Sequence, residues 1–185
     1  MNRSAIQVFT TRGGEQLDAV RRLRYQVLRQ PLGLPFDATL FDGDELPTTL
    51  HLLAIEADLP IGCLTLLVPE DSDVSTDGTT TSKGTVNVQL RGMAVLQQAQ
   101  GKGVGSLLLA EVDRLARQHH WYLWCKARQA AVPFYEKNGW RIRGEPFEIP
   151  TIGTHYTMDY TTQDFTTQDF TTQRESPFET LIPPI

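Results

Sequence analysis

The chain has 185 residues, a net charge of −5 and 40% apolar residues, enough for one domain with a substantial core and too few for two. No apolar run reaches membrane-spanning length and residues 1–14 lack the apolar stretch of a secretory signal, so a cytoplasmic protein with no membrane partner is expected. The two cysteines, Cys63 and Cys125, have no metal-ligand spacing; they read as small core residues in a reducing compartment, and no metal site is expected.

Residues 4–9 alternate in polarity as a first strand does. Residues 15–30 predict a helix: Leu17, Val20, Leu23 and Val27 fall near one face, Gly13 and Gly14 precede it, and Pro31 stops it. Residues 31–50 are a loop rich in proline, glycine and acid. Residues 51–56 and 61–68 predict two strands joined as a hairpin over 57–60. Residues 69–84 are polar, threonine-rich and irregular, a flexible connection. A long strand follows over 86–96, then a glycine-rich turn, then a helix over 104–118 with Val104, Leu107, Leu108, Val112 and Leu115 on its apolar stripe. Residues 121–125 read as a short buried strand. Residues 128–138 read as a helix closed by Gly139, and 140–143 and 155–160 as closing strands. The order βα-ββ-βαβα-ββ is mixed α/β, with the glycine turn at the C-terminal end of a strand, where ligands of such sheets collect.

Past Tyr160 the composition changes. Residues 161–165 are repeated identically as 166–170, and Thr171-Thr172-Gln173 begins a third copy. A five-residue period suits neither helix nor strand. The expected organisation is therefore one domain over 1–160 and a disordered low-complexity tail over 161–185. The sharper alternative is that Phe165, Phe170 and Phe178 dock into a groove on this or a neighbouring subunit.

Charge is segregated. Residues 30–82 contain no Lys or Arg, whereas residues 91–143 carry nine bases (Arg91, Lys102, Arg114, Arg117, Lys126, Arg128, Lys137, Arg141 and Arg143) against three acids. The turn Gln100-Gly101-Lys102-Gly103-Val104-Gly105 lies in this basic half. A glycine turn that opens a helix leaves several N–H groups unpaired beside the positive end of the helix dipole, a seat for an anion. The spacing fits neither the P-loop nor the dinucleotide fingerprint. Nucleic acid would favour a wider basic face and a higher pI, so no nucleic-acid partner is expected.

Three segments in order, Leu90-Arg91-Gly92-Met93-Ala94-Val95, Gln100-x-x-Gly103-x-Gly105 and Ala130-Ala131-Val132-Pro133-Phe134-Tyr135-Glu136-Lys137-Asn138-Gly139-Trp140, resemble the GCN5-related N-acetyltransferase (GNAT) superfamily over roughly residues 4 to 160. The resemblance implies the GNAT acyl-CoA acyltransferase fold, a central twisted mixed sheet flanked by helices, and acetyl-CoA as acyl donor. It implies that main-chain groups of Met93, Ala94 and Val95 pair with the pantetheine arm like an added strand. N–H groups of Gln100, Gly101, Lys102, Gly103, Val104, Gly105 and Ser106 would hold the diphosphate. The Val95 N–H is then the oxyanion donor and Tyr135 the acid that protonates the departing thiolate. The implied reaction is direct attack by a primary amine in a ternary complex, and a homodimer is a common state of such proteins.

The base that deprotonates the amine is left open between Glu56, His155 and a water chain; His119 and His120 end a helix as surface residues. Arg91 either steers an acceptor carboxylate or flanks the sheet. The acidic loop with Asp37, Asp42, Asp44 and Glu45 predicts a cationic acceptor, a small-molecule amine or an exposed lysine. Two rival readings stand beside this one: a degenerate acyl-CoA sensor or interaction module, and a nucleotide-binding module.

Overall fold

A computed structural model describes residues 5–70 and 86–160. The predicted tail at 161–185 and most of the predicted connection at 69–84 lie outside the described residues, as does Ser4. Seven strands form one sheet: β1 (Gln7–Arg12), β2 (Leu50–Glu56), β3 (Leu59–Leu67), β4 (Val86–Val95), β5 (Trp121–Arg128), β6 (Arg141–Ile149) and β7 (Gly153–Tyr160), in the spatial order β1-β2-β3-β4-β5-β7-β6. Every pairing is antiparallel except β4 with β5. The helices are α1 (Leu17–Arg24), α2 (Val104–His119) and α3 (Val132–Lys137).

The mixed α/β expectation holds, and so does the order of the elements. Strand period puts alternate residues on opposite faces. Leu50, Leu52, Ala54, Leu64, Leu66, Val88, Leu90, Leu123 and Cys125 meet the stripe of α2 (Val104, Leu108, Val112 and Leu115) in the main core. On the other face Leu53, Cys63 and Ala94 meet Leu17, Val20 and Leu23 of α1. The hairpin between β2 and β3 turns at Ala57 and Asp58, both at positive φ (50° and 63°), the two-residue turn whose twist suits antiparallel strands.

Several boundaries differ from the sequence expectation: β1 lies later than residues 4–9, β5 and β6 run on to Arg128 and Ile149, and two helices change. The helix predicted over 15–30 is α-helical only to Arg24; Tyr25–Arg29 widen into a π-helix and Gln30–Leu32 tighten into a 3-10 turn ended by Gly33 at φ 68°. The helix predicted from residue 128 begins at Val132. Arg128 is instead the last residue of β5, extended at ψ 144°, and the 3-10 turn Gln129–Ala131 leads into α3, which has Pro133 in its first turn. Proline suits a first turn because its missing N–H would have no partner there.

Candidate active site

Strands β4 and β5 pair in parallel from Val86↔Trp121 to Leu90↔Cys125 and then part. Beyond that point β4 stays with β3 (Cys63↔Ala94, Gly62↔Val95) while β5 stays with β7 (Lys126↔Thr157, Arg128↔His155). Residues 91–95 and 126–128 therefore face each other across a slot with no strand between them. Two residues of β4, Gly92 and Met93, stand opposite Leu64 alone, since Cys63 pairs with Ala94 and Thr65 with Arg91. This bulge bends β4 away from β5 and puts Gly92 at φ 60°.

The backbone at the slot can be oriented from its partners. The Leu96 N–H donates to the Ile61 carbonyl on β3 at 2.9 Å. In a strand the preceding residue points the other way, so the Val95 N–H and carbonyl face the slot. The Val95 carbonyl accepts from Nε2 of Gln100 at 3.0 Å, which leaves its N–H as the open group.

At the end of β4 the 3-10 turn Gln97–Ala99 leads to Gly101 (φ 75°) and Gly103 (φ 83°), the N-cap of α2. The Gln100 N–H, expected to face the diphosphate, is instead spent on the Leu96 and Gln97 carbonyls at 3.1 and 3.2 Å, whereas no N–H from residues 101–106 finds an acceptor among the described residues. A Cβ built on Gly101 or Gly103 would meet nothing within 4 Å, so the turn is open on its outer side. Gly105 differs: a Cβ there would stand 2.9 Å from Phe134 and 3.3 Å from the Met93 methyl, and its bareness lets α2 lie close to β4 and α3. Six unpaired donors at a helix start, reached through open space, fit a diphosphate. Lys102 Nζ lies 3.6 Å from Glu56 Oε2, which sets Glu56 beside this turn.

Tyr135, 6% exposed on α3, donates its hydroxyl to Sδ of Met93 at 3.5 Å. Its ring packs edge-on against Trp140 and Phe134. Burial, then the nearby Cys125, raise its phenol well above the ordinary value, so it is a protonated hydroxyl at neutral pH. Burial likewise pushes the Cys125 and Cys63 thiols up to about 12, which keeps both from acting as nucleophiles.

The face of the slot under α1 carries a buried polar network that composition did not reveal. His51, Thr65 and Arg91 lie side by side across β2, β3 and β4. Arg24, fully buried, donates to Asp44 Oδ2 (2.5 Å), the Thr39 carbonyl (2.9 Å) and Thr65 Oγ1 (2.5 Å). Arg91 donates to Asp44 Oδ1 at 3.0 Å and to the Asp42 carbonyl at 2.6 Å. His51 Nε2 donates to the Asp44 carbonyl (2.9 Å), which in the neutral ring leaves Nδ1 to accept from the Thr65 hydroxyl (2.8 Å) while that hydroxyl accepts from Arg24. That chain of donors requires a neutral His51. Burial first, against the bond to Asp44, leaves its pKa below the ordinary value. Burial raises Asp44, but the hydrogen bond and charge of Arg24, the Phe41 N–H and Arg91 outweigh it, and its carboxyl sits below the usual range.

Asp44 therefore corrects the expectation that it recognises an acceptor: its side chain is buried and already holds two guanidinium groups. Asp37 lies 3.6 Å from Arg21 with its side chain 98% exposed. Asp42 and Glu45 are exposed. The acidic loop serves first to anchor itself to α1 and β4. His155 is buried on β7; its Nδ1 lies 2.7 Å from the Gly153 carbonyl, so Nδ1 is the protonated nitrogen and Nε2 carries the free lone pair. A half-open cavity of about 180 Å³ lies between α2, α3 and β7 and is bordered by Ser106, Asn138, Trp140 and Tyr160.

Sequence reasoning passed over Arg24, Arg29 and the placement of Arg128. A signal existed for the first: Leu17, Val20, Arg24 and Val27 share one helical face, so an arginine falls on the stripe that meets the sheet.

A mixed sheet that parts between two parallel strands, beside a helix start with unpaired amides, is the fold of known acyltransferase structures. A family model described as Acetyltransferase (GNAT) domain matches residues 47–142, just over half of the chain, and the chain belongs to that family. N-acetyltransferase YitI of Bacillus subtilis (strain 168), itself uncharacterized, is 41% identical over 71 residues, which are 38% of this chain and 48% of that protein. The match thus spans about half of that relative's length. Escherichia coli ElaA shares the fold with a TM-score of 0.67 at 20% identity, over 85% of this chain and 100% of that one. A GNAT family acetyltransferase from Elizabethkingia anophelis, solved with acetyl-CoA bound, shares it with a TM-score of 0.56 at 18% identity, over 85% of this chain and 98% of that one. No helix among the described residues is long and apolar enough to cross a membrane.

Proposed function

We propose that this protein transfers an acetyl group from acetyl-CoA to a primary amine by direct attack in a ternary complex. The observation that carries the reading is the slot between residues 91–95 and 126–128, closed on one side by the Tyr135 hydroxyl at Met93. In the reaction the amine nitrogen bonds to the acetyl carbon, the carbon–sulfur bond breaks, a base takes one proton from the nitrogen and the sulfur gains one. The donor supplies a thioester, whose thiol, of pKa about 8.5, is a fair leaving group.

Residues 101–106 present their amides to the diphosphate, and main-chain groups of Met93, Ala94 and Val95 supply the strand edge for the pantetheine amides. The Val95 N–H is directed at the oxygen that gains charge, a preorganised donor that needs no reorientation. Tyr135 holds a proton for the departing sulfur. His155 is favoured over Glu56 as the base. Its Nε2 is free and it pairs across the strands with Arg128 at the end of the slot, whereas Glu56 is engaged by Lys102 beside the diphosphate turn.

Isothermal titration with acetyl-CoA, CoA, ATP and NAD tests the donor; binding of a nucleotide in preference to CoA would overturn it. Tyr135→Phe tests the chemistry. Turnover should fall about 100-fold, the usual scale of general-acid help, with acetyl-CoA affinity retained. A protein that binds acetyl-CoA and never releases thiol to any amine would be a sensor instead.

A further inference from the structure

The acceptor side of the slot holds more positive charge than its own carboxylates can satisfy. The guanidinium carbons of Arg24, Arg29 and Arg91 stand 4.2, 5.2 and 5.7 Å from the centre of the Phe41 ring. Arg24 and Arg91 share Asp44, and the Nε of each is buried with no acceptor among the described residues. Arg29 and Arg128 have no carboxylate partner among those residues at all. Arg29 spends Nε on the Ala38 carbonyl at 2.8 Å, and Arg128 spends Nη2 on the Leu28 carbonyl at 3.1 Å. The remaining N–H groups of both have no acceptor among the described residues. Asp44 accepts from both Arg24 and Arg91, and Asp42 meets Arg91 through its backbone carbonyl.

The fold puts these two arginines together deliberately. The π-helix Tyr25–Arg29 packs against β4, and Arg128 reaches the Leu28 carbonyl from the end of β5. Arg128, at the end of β5, thus lies against the residue before Arg29, near enough for the two charges to act on each other. Gly92 shows which face this is: a Cβ there would point at Arg24, whereas the neighbouring Met93 points to Tyr135. The arginines lie on the side away from Tyr135, where an amine would meet the thioester. Burial lowers the pKa of both, and the charge of Arg128 lowers that of Arg29 further. Two half-buried like charges held side by side are unfavourable until an anion joins them.

We propose that Arg29 and Arg128 bind an oxyanion group of the acceptor, so that the substrate is a small primary amine that also carries a carboxylate or phosphate. This rests on the acetyltransferase reading and reverses the cationic acceptor suggested by the acidic loop. Planar guanidinium forks match either oxyanion with paired hydrogen bonds, and Lys cannot reproduce that geometry.

The test uses the full chain with acetyl-CoA and four acceptor classes: amino acids, their amides, aminoalkyl phosphates and linear diamines, read by release of free thiol. A free acid or a phosphate should exceed the matching amide in kcat/KM by between about 10- and 150-fold, the range for a hydrogen-bonded charged group. The two oxyanion arms identify which of them the site takes. Arg29→Gln and Arg128→Gln should each collapse the acid-to-amide ratio towards one, while calorimetric affinity for acetyl-CoA stays within about two-fold. Arg128→Lys should recover only part of the ratio. Equal or better turnover of diamines or amides, or an unchanged ratio in both Gln variants, would overturn the proposal, as would acetyl-CoA binding with no thiol release to any class. Failure to bind acetyl-CoA would instead bring down the enzyme reading, and this one with it.

Discussion

Gly92 is the residue on which the slot's geometry turns. It sits at φ 60° in the β4 bulge, and a methyl there would approach the Arg24 Nε to 2.5 Å. Arg24 cannot swing aside, because Asp44, Thr65 and the Thr39 carbonyl hold it. Gly92→Ala should therefore destabilise the protein by about 2–4 kcal/mol, from left-handed strain plus overpacking. Urea denaturation reads this directly, and a loss below about 1 kcal/mol would show that the bulge is not rigid. The sequence marked the glycine turn at 101–105 because glycine spacing is local. It did not mark Gly92, whose need for a bare Cα comes from Arg24, far away in the chain. The same limit explains Asp44: acid content is visible in a sequence, but whether a carboxylate faces water or a buried guanidinium is decided by tertiary packing.

Among the elements, the loop between the 3-10 turn Gln30–Leu32 and β2 depends on the Arg24–Asp44–Arg91 network. Replacing one member leaves the other buried charges uncompensated, which is the costly case. Asp44→Ala should lower stability by about 3–5 kcal/mol, and proteolysis within residues 36–49 should speed up before the rest of the chain is cut. Unchanged protease sensitivity of that loop would contradict its anchoring role. Strand and helix order was legible because periodicity, glycine turns and prolines are local signals. The π-helix at Tyr25–Arg29 was not, since nothing in an apolar stripe announces a widened turn; within it the Leu28 carbonyl accepts from Arg128, a partner distant in the chain. Arg128 was assigned to a helix because the residues after it favour one, although its partner on β7 makes it a strand end. At the site, the three family segments pointed to the slot and the turn, whereas the arginines around Phe41 come from three elements, α1, the π-helix and β4, and needed the fold to bring them together.

For the molecule as a whole, the neutral His51 and the depressed Asp44 give stability one sign of pH dependence. Both groups bind a proton more readily in the unfolded chain than in the fold. Their contribution is complete above the ordinary histidine value of about 6.5 and is lost as pH falls, first through His51 and then, in the carboxylate range, through Asp44. His119, lowered chiefly by burial and by Arg12, adds in the same direction. The urea midpoint should hold level from pH 8 to about pH 7 and fall from there to pH 5; a flat or rising profile over that lower range would show that His51 is not held neutral.

The parallel contact between β4 and β5 is only five residue pairs long, and it is the seam between a four-stranded block and a three-stranded one. A thioester carrier lying in the slot would supply the missing rungs and stitch the two blocks together. Heat should then separate them later when the carrier is present, by about 2.7 kcal/mol at a hundredfold excess over its dissociation constant. Amide exchange should slow most in residues 91–95 and 126–128, so that the thermal shift and the exchange map report occupancy before any acceptor is known.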